Sequence, residues 1–116
     1  MRKLDLSNYN AKGRVPDSGN PGREIDAEIP FYVKTSIINL LFIPALQLSG
    51  AEVLRQNILA MKLEACKDEI LLEEEEWGRI KKSVETFKGF DRNAVELVRR
   101  VLEAPIVEVH EKPAKG

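Results

Sequence analysis

Few side chains in this sequence have the type and spacing that catalysis requires. The single histidine is His110 and the single cysteine is Cys66. A serine, cysteine or threonine nucleophile needs a general base beside it, and His110, on or just past the last predicted strand, is more typical of a solvent-facing strand end. Cys66 lies on the apolar side of a predicted helix, where cysteine packs as a small hydrophobic residue. We therefore predict no catalytic residues and no enzymatic activity.

Four consecutive glutamates at residues 73–76 form the one dense cluster of carboxylates. A metal site needs ligands that converge, and within this run only Glu73 and Glu76 have a helical i, i+3 spacing; Glu69 approaches them if the preceding strand folds back. Acidic residues in a first helical turn are also what the helix dipole favours. The chain has no D-x-D-x-D-G calcium loop and neither of the phosphate motifs G-x-x-x-x-G-K-[ST] and G-x-G-x-x-G. We predict no bound metal and no cofactor.

Basic residues concentrate in the last part of the chain, where the stretch from Arg79 to Arg100 has seven bases and three acids. Two helices joined at Gly89 would then present a basic face that contacts nucleic-acid phosphates or an acidic partner. The candidate contact residues are Lys81, Lys82, Lys88, Arg92, Arg99 and Arg100. The alternative is a solvated helix surface in which Glu96 pairs with neighbouring arginines. We favour this alternative, because the net charge is −1 and phosphate-binding domains are usually more basic.

Apolar residues in the middle of the chain are more numerous than one core stripe needs. A helix that is apolar beyond one stripe is either deeply buried or contacts a partner, and a chain of 116 residues cannot bury all of them deeply. The candidate partner-binding residues are Ile38, Phe42, Leu46, Leu48, Leu59 and Leu63. We predict a protein partner or a homo-oligomer, although a larger core could also absorb these side chains.

The elements that must position these residues belong to an ordinary globular protein of one domain. The composition is 43% hydrophobic and 32% charged, which is typical of a folded chain. A single cysteine excludes an internal disulfide and suits a reducing compartment, so we predict a cytoplasmic protein. The longest apolar run, near residues 37–48, is interrupted by polar residues and is far shorter than the roughly 20 residues that span a bilayer. We predict no membrane association.

Helical spacing predicts four helices, each with one inward stripe. Ser49 and Glu52 form a capping-box pattern that opens the second helix, and Asp91 is a favourable N-cap for the fourth. The four inward stripes are Val33, Ile37, Leu40 and Leu41; Leu54, Ile58, Met61 and Ala65; Trp77, Ile80, Val84 and Phe87; and Val95, Val98, Val101 and Leu102. Pro30 suits the first turn of the first helix.

Short strands are predicted near Leu4 and Leu6 and at residues 24–29, 68–72 and 106–109. Residues 10–24 contain many glycines and prolines and are predicted to form a loop, which is either a flexible connection or a functional segment. The predicted fold class is α+β, with about four helices packed on a short, mainly antiparallel sheet. We expect residues 1–24 at the domain edge, one globular domain at residues 25–110, and a flexible tail at residues 111–116.

The stretch I-L-L-E-E-E-E-W-G-R-I-K-K at residues 70–82, followed by E-T-F-K-G-F at residues 85–90, resembles small accessory proteins of phage and prophage genomes. The opening M-R-K-L-D-L-S and the stretch E-I-P-F-Y-V at residues 28–33 share this resemblance, which covers about the last two thirds of the chain. It implies a non-enzymatic assembly accessory, for instance in tail or head morphogenesis, and carries over no functional residues. The alternative is a small nucleic-acid-binding or transcription-regulatory protein that acts through the basic helix pair.

Overall fold

Helices and strands alternate along the chain in a computed structural model that describes residues 1–108, except for the side chains of residues 12–15. The strands are β1 (Arg2–Asp5), β2 (Tyr9–Pro16), β3 (Glu24–Phe31) and β4 (Glu69–Leu72). The helices are α1 (Val33–Leu40), α2 (Gly50–Ala65), α3 (Glu74–Thr86) and α4 (Val95–Leu102), with short 3₁₀ turns at Pro44–Leu46 and Arg92–Ala94. The strands form two antiparallel pairs, so the predicted α+β fold with about four helices is confirmed.

The first strand, β1, turns one face toward the core. β1 pairs antiparallel with β4, in a register that joins Arg2 to Leu72 and Asp5 to Glu69. Alternate residues of a strand point to opposite faces, and the inward residues Leu4 and Ile70 are both buried. Pairing with β4 therefore places the apolar face of β1, with Leu4, in the core.

The predicted last strand is reduced, within the described residues, to one bridge. Ile106 forms an isolated antiparallel bridge with Arg2, and the backbone N–H of Val107 donates to the carbonyl of Met1 at 2.7 Å. Val109, His110 and the predicted tail at residues 111–116 lie outside the described residues.

β2 and β3 form a hairpin that pairs with no other strand of the described chain. Most of the predicted loop at residues 10–24 is thus strand, and only residues 17–23 form the turn, where the Asp17 carboxylate accepts from the backbone of Gly19 at 2.9 Å. The prediction failed because proline is tolerated in strands with open edges, and Pro16 ends β2. Pro30 likewise lies inside β3, opposite Asn10, and not in α1 as predicted.

The hairpin is anchored at its base. Tyr9 and Phe31, which are partners in the register, stack with ring centroids 4.9 Å apart. The Tyr9 hydroxyl donates to the carbonyl of Asn93 at 2.6 Å, and partial burial raises the pKa of Tyr9 above its ordinary value. The far end is open to solvent, since Ile25 is 47% exposed.

Two of the four predicted helix stripes are confirmed. In α1 and just after it, Val33, Ile37, Leu40 and Leu41 are all buried. In α3, Ile80 and Val84 are buried, and Trp77 and Phe87 pack against the same core of buried apolar side chains. Gly89, placed at the end of this segment, has φ = +114°, a conformation that glycine adopts without the strain a side chain would bring.

The other two stripes are placed differently. In α4 the buried residues are Leu97 and Val101, whereas Val95 is 61% exposed and Leu102 is 40% exposed. In α2 the predicted inward residues face solvent. The buried face of α2 is instead Gln56, Leu59, Ala60 and Leu63.

Candidate protein-interaction site

The most exposed apolar surface of the described chain lies along α2. Leu54 and Ile58 are each 67% exposed and Met61 is 61% exposed. Residues spaced by three or four positions share one face of a helix, so these side chains form a line. Ala51 and Ala65, also exposed, extend it at both ends. We call Ala51, Leu54, Ile58, Met61 and Ala65 the α2 row.

Local sequence determines where this helix begins. The Ser49 hydroxyl accepts from the backbone N–H of Glu52 at 3.2 Å, and the Glu52 carboxylate accepts in turn from the backbone N–H of Ser49 at 3.4 Å. This reciprocal capping box satisfies two N–H groups that a helix start leaves without partners. The predicted start of α2 is confirmed.

A buried glutamine fixes the rotation of α2. Gln56 is 2% exposed; its amide nitrogen donates to the carbonyl of Leu41 at 3.0 Å, and its amide oxygen accepts from Arg79 at 3.2 Å. Buried polar groups need such partners, and here they join α2 to the end of α1 and to α3. An ion pair of 2.8 Å between Lys62 and Glu76 adds a second link to α3. With Gln56 held inward, the α2 row points outward.

The residues predicted to bind a partner lie elsewhere. Leu59 and Leu63 are buried, so in this fold they stabilise the core and are not available to a partner. Ile38 packs against the core, and Phe42 is 39% exposed. Leu46 and Leu48 are half-buried. The predicted set and the α2 row therefore share no residue.

The sequence contains the pattern of the α2 row, but periodicity alone predicts these residues as the core face of the helix. Two apolar stripes run along α2, and the exposed one, with Leu54, Ile58 and Met61, contains no polar residue. The buried one contains Gln56. Choosing the more apolar stripe as the core is the ordinary rule, and it fails here because Gln56 finds hydrogen-bond partners inside.

The predicted basic residues are partly neutralised. Glu96 accepts from Arg99 at 2.8 Å and from Arg100 at 2.7 Å, which confirms the predicted pairing within the helix. Arg100 also donates to the carbonyl of Ser7 at 2.7 Å. Lys81 lies over the ring of Trp77, 5.2 Å from its centroid. The three remaining basic residues, Lys82, Lys88 and Arg92, are exposed.

The carboxylates near these arginines are held in their charged form. Hydrogen bonds from Arg100 and Arg99 keep the pKa of Glu96 below its ordinary value of 4.5. For Asp5, partial burial acts to raise the pKa, but hydrogen bonds from Ser7 and the charge of Arg100 outweigh it, and the pKa is lowered. Arg100 therefore joins α4 to the end of β1 and is engaged in structure.

An apolar cleft of about 320 Å³ opens between α1 and the connection from α3 to α4. Its walls include Leu40, Ile43 and Phe31, together with Phe87 and Phe90, whose rings meet edge to face with centroids 4.7 Å apart. This volume is at the lower end of the range for small-molecule sites.

The candidates for chemistry have structural partners. The side chain of Glu76 accepts from the backbone N–H of Glu73 at 2.9 Å, which makes this pair the capping box of α3. Cys66 is half-buried at the end of α2, and its side chain packs against the core. Among residues 1–108, no three side chains of histidine, cysteine, aspartate or glutamate converge to hold a metal ion.

Comparison with family models, with curated proteins and with solved structures found no match. Within the part of the chain that the structure describes, no helix is both long enough and apolar enough to cross a membrane.

Proposed function

We propose that this chain is a non-enzymatic protein-interaction module that binds a protein partner through the α2 row. One observation supports this most directly: Leu54, Ile58 and Met61 are each more than 60% exposed on a single helix face. Single exposed apolar residues are normal on protein surfaces, but a continuous line of them is typical of an interaction site.

The exposed area sets the strength that the site can reach. Complete burial of an aliphatic side chain contributes about 1.5–3 kcal/mol. About two thirds of that remains to be gained at Leu54, Ile58 and Met61, so a partner covering all three gains on the order of 3–6 kcal/mol before the cost of association. This suits a helix or groove that adds further contacts around the row.

Assembly of phage or prophage particles is the biological setting we propose for this module. The resemblance of residues 70–90 to phage accessory proteins supports it. In that setting the α2 row contacts a protein of the assembling head or tail, further copies of this chain included, in the cytoplasm of the infected or lysogenic cell. Recognition through one apolar helix face is a common mode of reversible protein binding.

A nucleic-acid-binding regulator is the second candidate, and the exposed Lys82, Lys88 and Arg92 support it. These residues would contact phosphates, and such binding weakens steeply as salt rises. Two of the six predicted basic residues already share Glu96, which leaves a smaller basic surface than the sequence indicated. We therefore place this function second.

The test is site-specific photo-crosslinking in a lysate of source cells, with p-benzoyl-phenylalanine in place of Ile58. Val95 is the matched control position, because it is an apolar residue exposed to a similar degree, 61% against 67%, on another helix. We expect a covalent protein adduct from position 58, formed at low and high salt alike, and none from position 95. Equal labelling at both positions, or none at either, would contradict the proposed site.

The same experiment separates the two candidate functions. A nucleic-acid-binding protein would retain nucleic acid at low salt and lose it at high salt, with no protein adduct at position 58. Combined replacement of Lys82, Lys88 and Arg92 by glutamine would then abolish the retention. For the interaction module, this triple replacement should leave the adduct unchanged.

A further inference from the structure

The spacing of the α2 row is that of a coiled-coil seam. Successive members are separated by three, four, three and four positions, from Ala51 through Leu54, Ile58 and Met61 to Ala65. In the heptad notation they occupy positions a, d, a, d and a, which face the partner helix in a two-stranded coiled coil. The buried face of α2, with Gln56, Leu59 and Leu63, then occupies positions f, b and f.

A helix of a single small domain rarely has a second apolar face that is exposed in addition to the one that packs on the core. A surface helix normally has one apolar face, toward its own core, and a polar face opposite. Here four residues at b, c and f positions pack inside the chain, namely Gln56, Leu59, Ala60 and Leu63. The a and d positions are exposed. The outward face therefore has the pattern of a helix that pairs with another helix.

The residue types at the a and d positions indicate how many helices associate and in which direction they run. An isoleucine at a combined with a leucine at d favours two parallel strands over higher-order bundles, and α2 has Ile58 at a and Leu54 at d. Every a and d residue is uncharged, so the seam can face an identical seam without repulsion. A second copy of the chain meets all of these requirements.

The charged residues beside the seam favour one relative direction of the two α2 helices, parallel or antiparallel. The e positions are Arg55 and Lys62, and the g positions include Asn57 and Glu64. In an antiparallel pair the e flank of one helix meets the e flank of the other, which would oppose Arg55 and Lys62. In a parallel pair each e residue meets a g residue, so Lys62 meets Asn57. Only the parallel arrangement separates Arg55 from Lys62, whose charge Glu76 offsets in part.

The length of α2 limits the strength of the pair. Its 16 residues give a helix about 24 Å long, and a contact strip about 10 Å wide on each copy corresponds to roughly 500–800 Å² in total. Specific stable interfaces bury about 1,200 Å² or more. The area therefore indicates a reversible, concentration-dependent dimer with a dissociation constant of about a micromolar or weaker.

We infer that the occupant of the α2 row is a second copy of this chain, paired through parallel α2 helices related by a twofold axis along the seam. The inference rests on the proposed function, since it names the partner of the same surface. In this dimer each a or d residue meets its own counterpart: Leu54 meets Leu54 and Ile58 meets Ile58.

The first measurement is sedimentation equilibrium of the full chain from about 1 µM to about 1 mM, a range that brackets the expected dissociation constant. The mean mass should rise from 13.1 kDa toward twice that value. Ile58→Glu should weaken association at least tenfold, whereas Val95→Glu, at a matched exposed position, should not change it. Circular dichroism and a urea titration establish that both variants are folded.

The second measurement tests the direction of the helices. In a Cys66→Ser background, which removes the one native thiol, Leu54→Cys should form a disulfide-linked dimer under mild oxidation. The Val95→Cys control should remain monomeric. In an antiparallel pair position 54 would oppose position 58, so cross-linking would require Leu54→Cys and Ile58→Cys together. That second pattern would overturn the parallel arrangement.

Failure of this inference differs from failure of the proposed function. A chain that stays monomeric up to about 1 mM, yet forms a photo-adduct with another protein from position 58, overturns the self-pairing and leaves the interaction site in place. A dimer insensitive to Ile58→Glu overturns the self-pairing as well. A monomer without any adduct from position 58 overturns both.

Discussion

Ile58 and Leu59 are consecutive residues of α2 that differ sharply in burial: Ile58 is 67% exposed and Leu59 is 2% exposed. Replacing each residue by alanine tests which face of α2 is turned toward the core. Leu59→Ala removes buried methyl and methylene groups from the core cluster and should lower the free energy of unfolding by about 2–5 kcal/mol.

Ile58→Ala should lower the free energy of unfolding much less than Leu59→Ala does. The replacement removes three carbons, worth about 0.8 kcal/mol each when fully buried, but only about a third of the side chain is covered, which leaves about 0.8 kcal/mol. Alanine also has the better helix propensity by a few tenths of a kcal/mol. The net cost should be about 0.5 kcal/mol, so the two variants should differ by about 2 kcal/mol or more.

The assay is urea unfolding followed by circular dichroism, at about 1 µM protein so that self-association contributes little. With a slope of about 1–3 kcal/mol per molar urea, the midpoints of the two variants should differ by about 1 M or more. If Ile58→Ala costs as much as Leu59→Ala, or more, then α2 is rotated as the sequence alone predicted, and the α2 row is not on the surface.

Three further replacements test features that hold the fold together. Gln56→Leu should lower the free energy of unfolding by about 1–3 kcal/mol, because it leaves the carbonyl of Leu41 without its donor; a urea midpoint equal to the parent's would show that this hydrogen bond is dispensable. Gly89→Ala should cost about 1 kcal/mol or more, because φ = +114° strains any residue with a side chain, and thermal melting with Gly78→Ala as the helical control measures it. Glu96→Gln should cost about 0.5–1 kcal/mol at pH 7 through loss of its ion pairs. Since the pKa of Glu96 is lowered on folding, this contribution is present above about pH 4.5 and is lost as the pH falls below it; a difference from the parent that stays constant down to pH 2 would contradict the assignment.

Fold class and helix positions could be read from the sequence wherever local signals and tertiary packing agree. The capping box of Ser49 and Glu52 and the stripe of Val33, Ile37 and Leu40 are such cases. The first strand of the hairpin could not be read, because Gly13 and Pro16, together with the glycines and proline of the turn, favour a loop locally. Pairing with β3 along the full register outweighs that preference.

The candidate site was missed for a different physical reason. Periodicity shows that α2 has two apolar stripes but not which one faces the core. The choice depends on Gln56, whose hydrogen bonds to Leu41 and Arg79 come from segments distant in sequence. Local pattern cannot reveal partners of that kind, so the side chains predicted as a partner surface, such as Leu59 and Leu63, were found in the core.

The position of β1 has a consequence for how the chain is made. Its backbone partners lie in β4 and at Pro105 and Ile106, so the ribosome releases this strand long before it releases the residues that pair with it. Leu4 and Leu6 must therefore remain exposed while most of the chain is synthesised. Contacts between residues so distant in sequence also slow folding relative to a purely helical domain of this size. Closure of β1 onto β4 is thus expected among the late steps of folding.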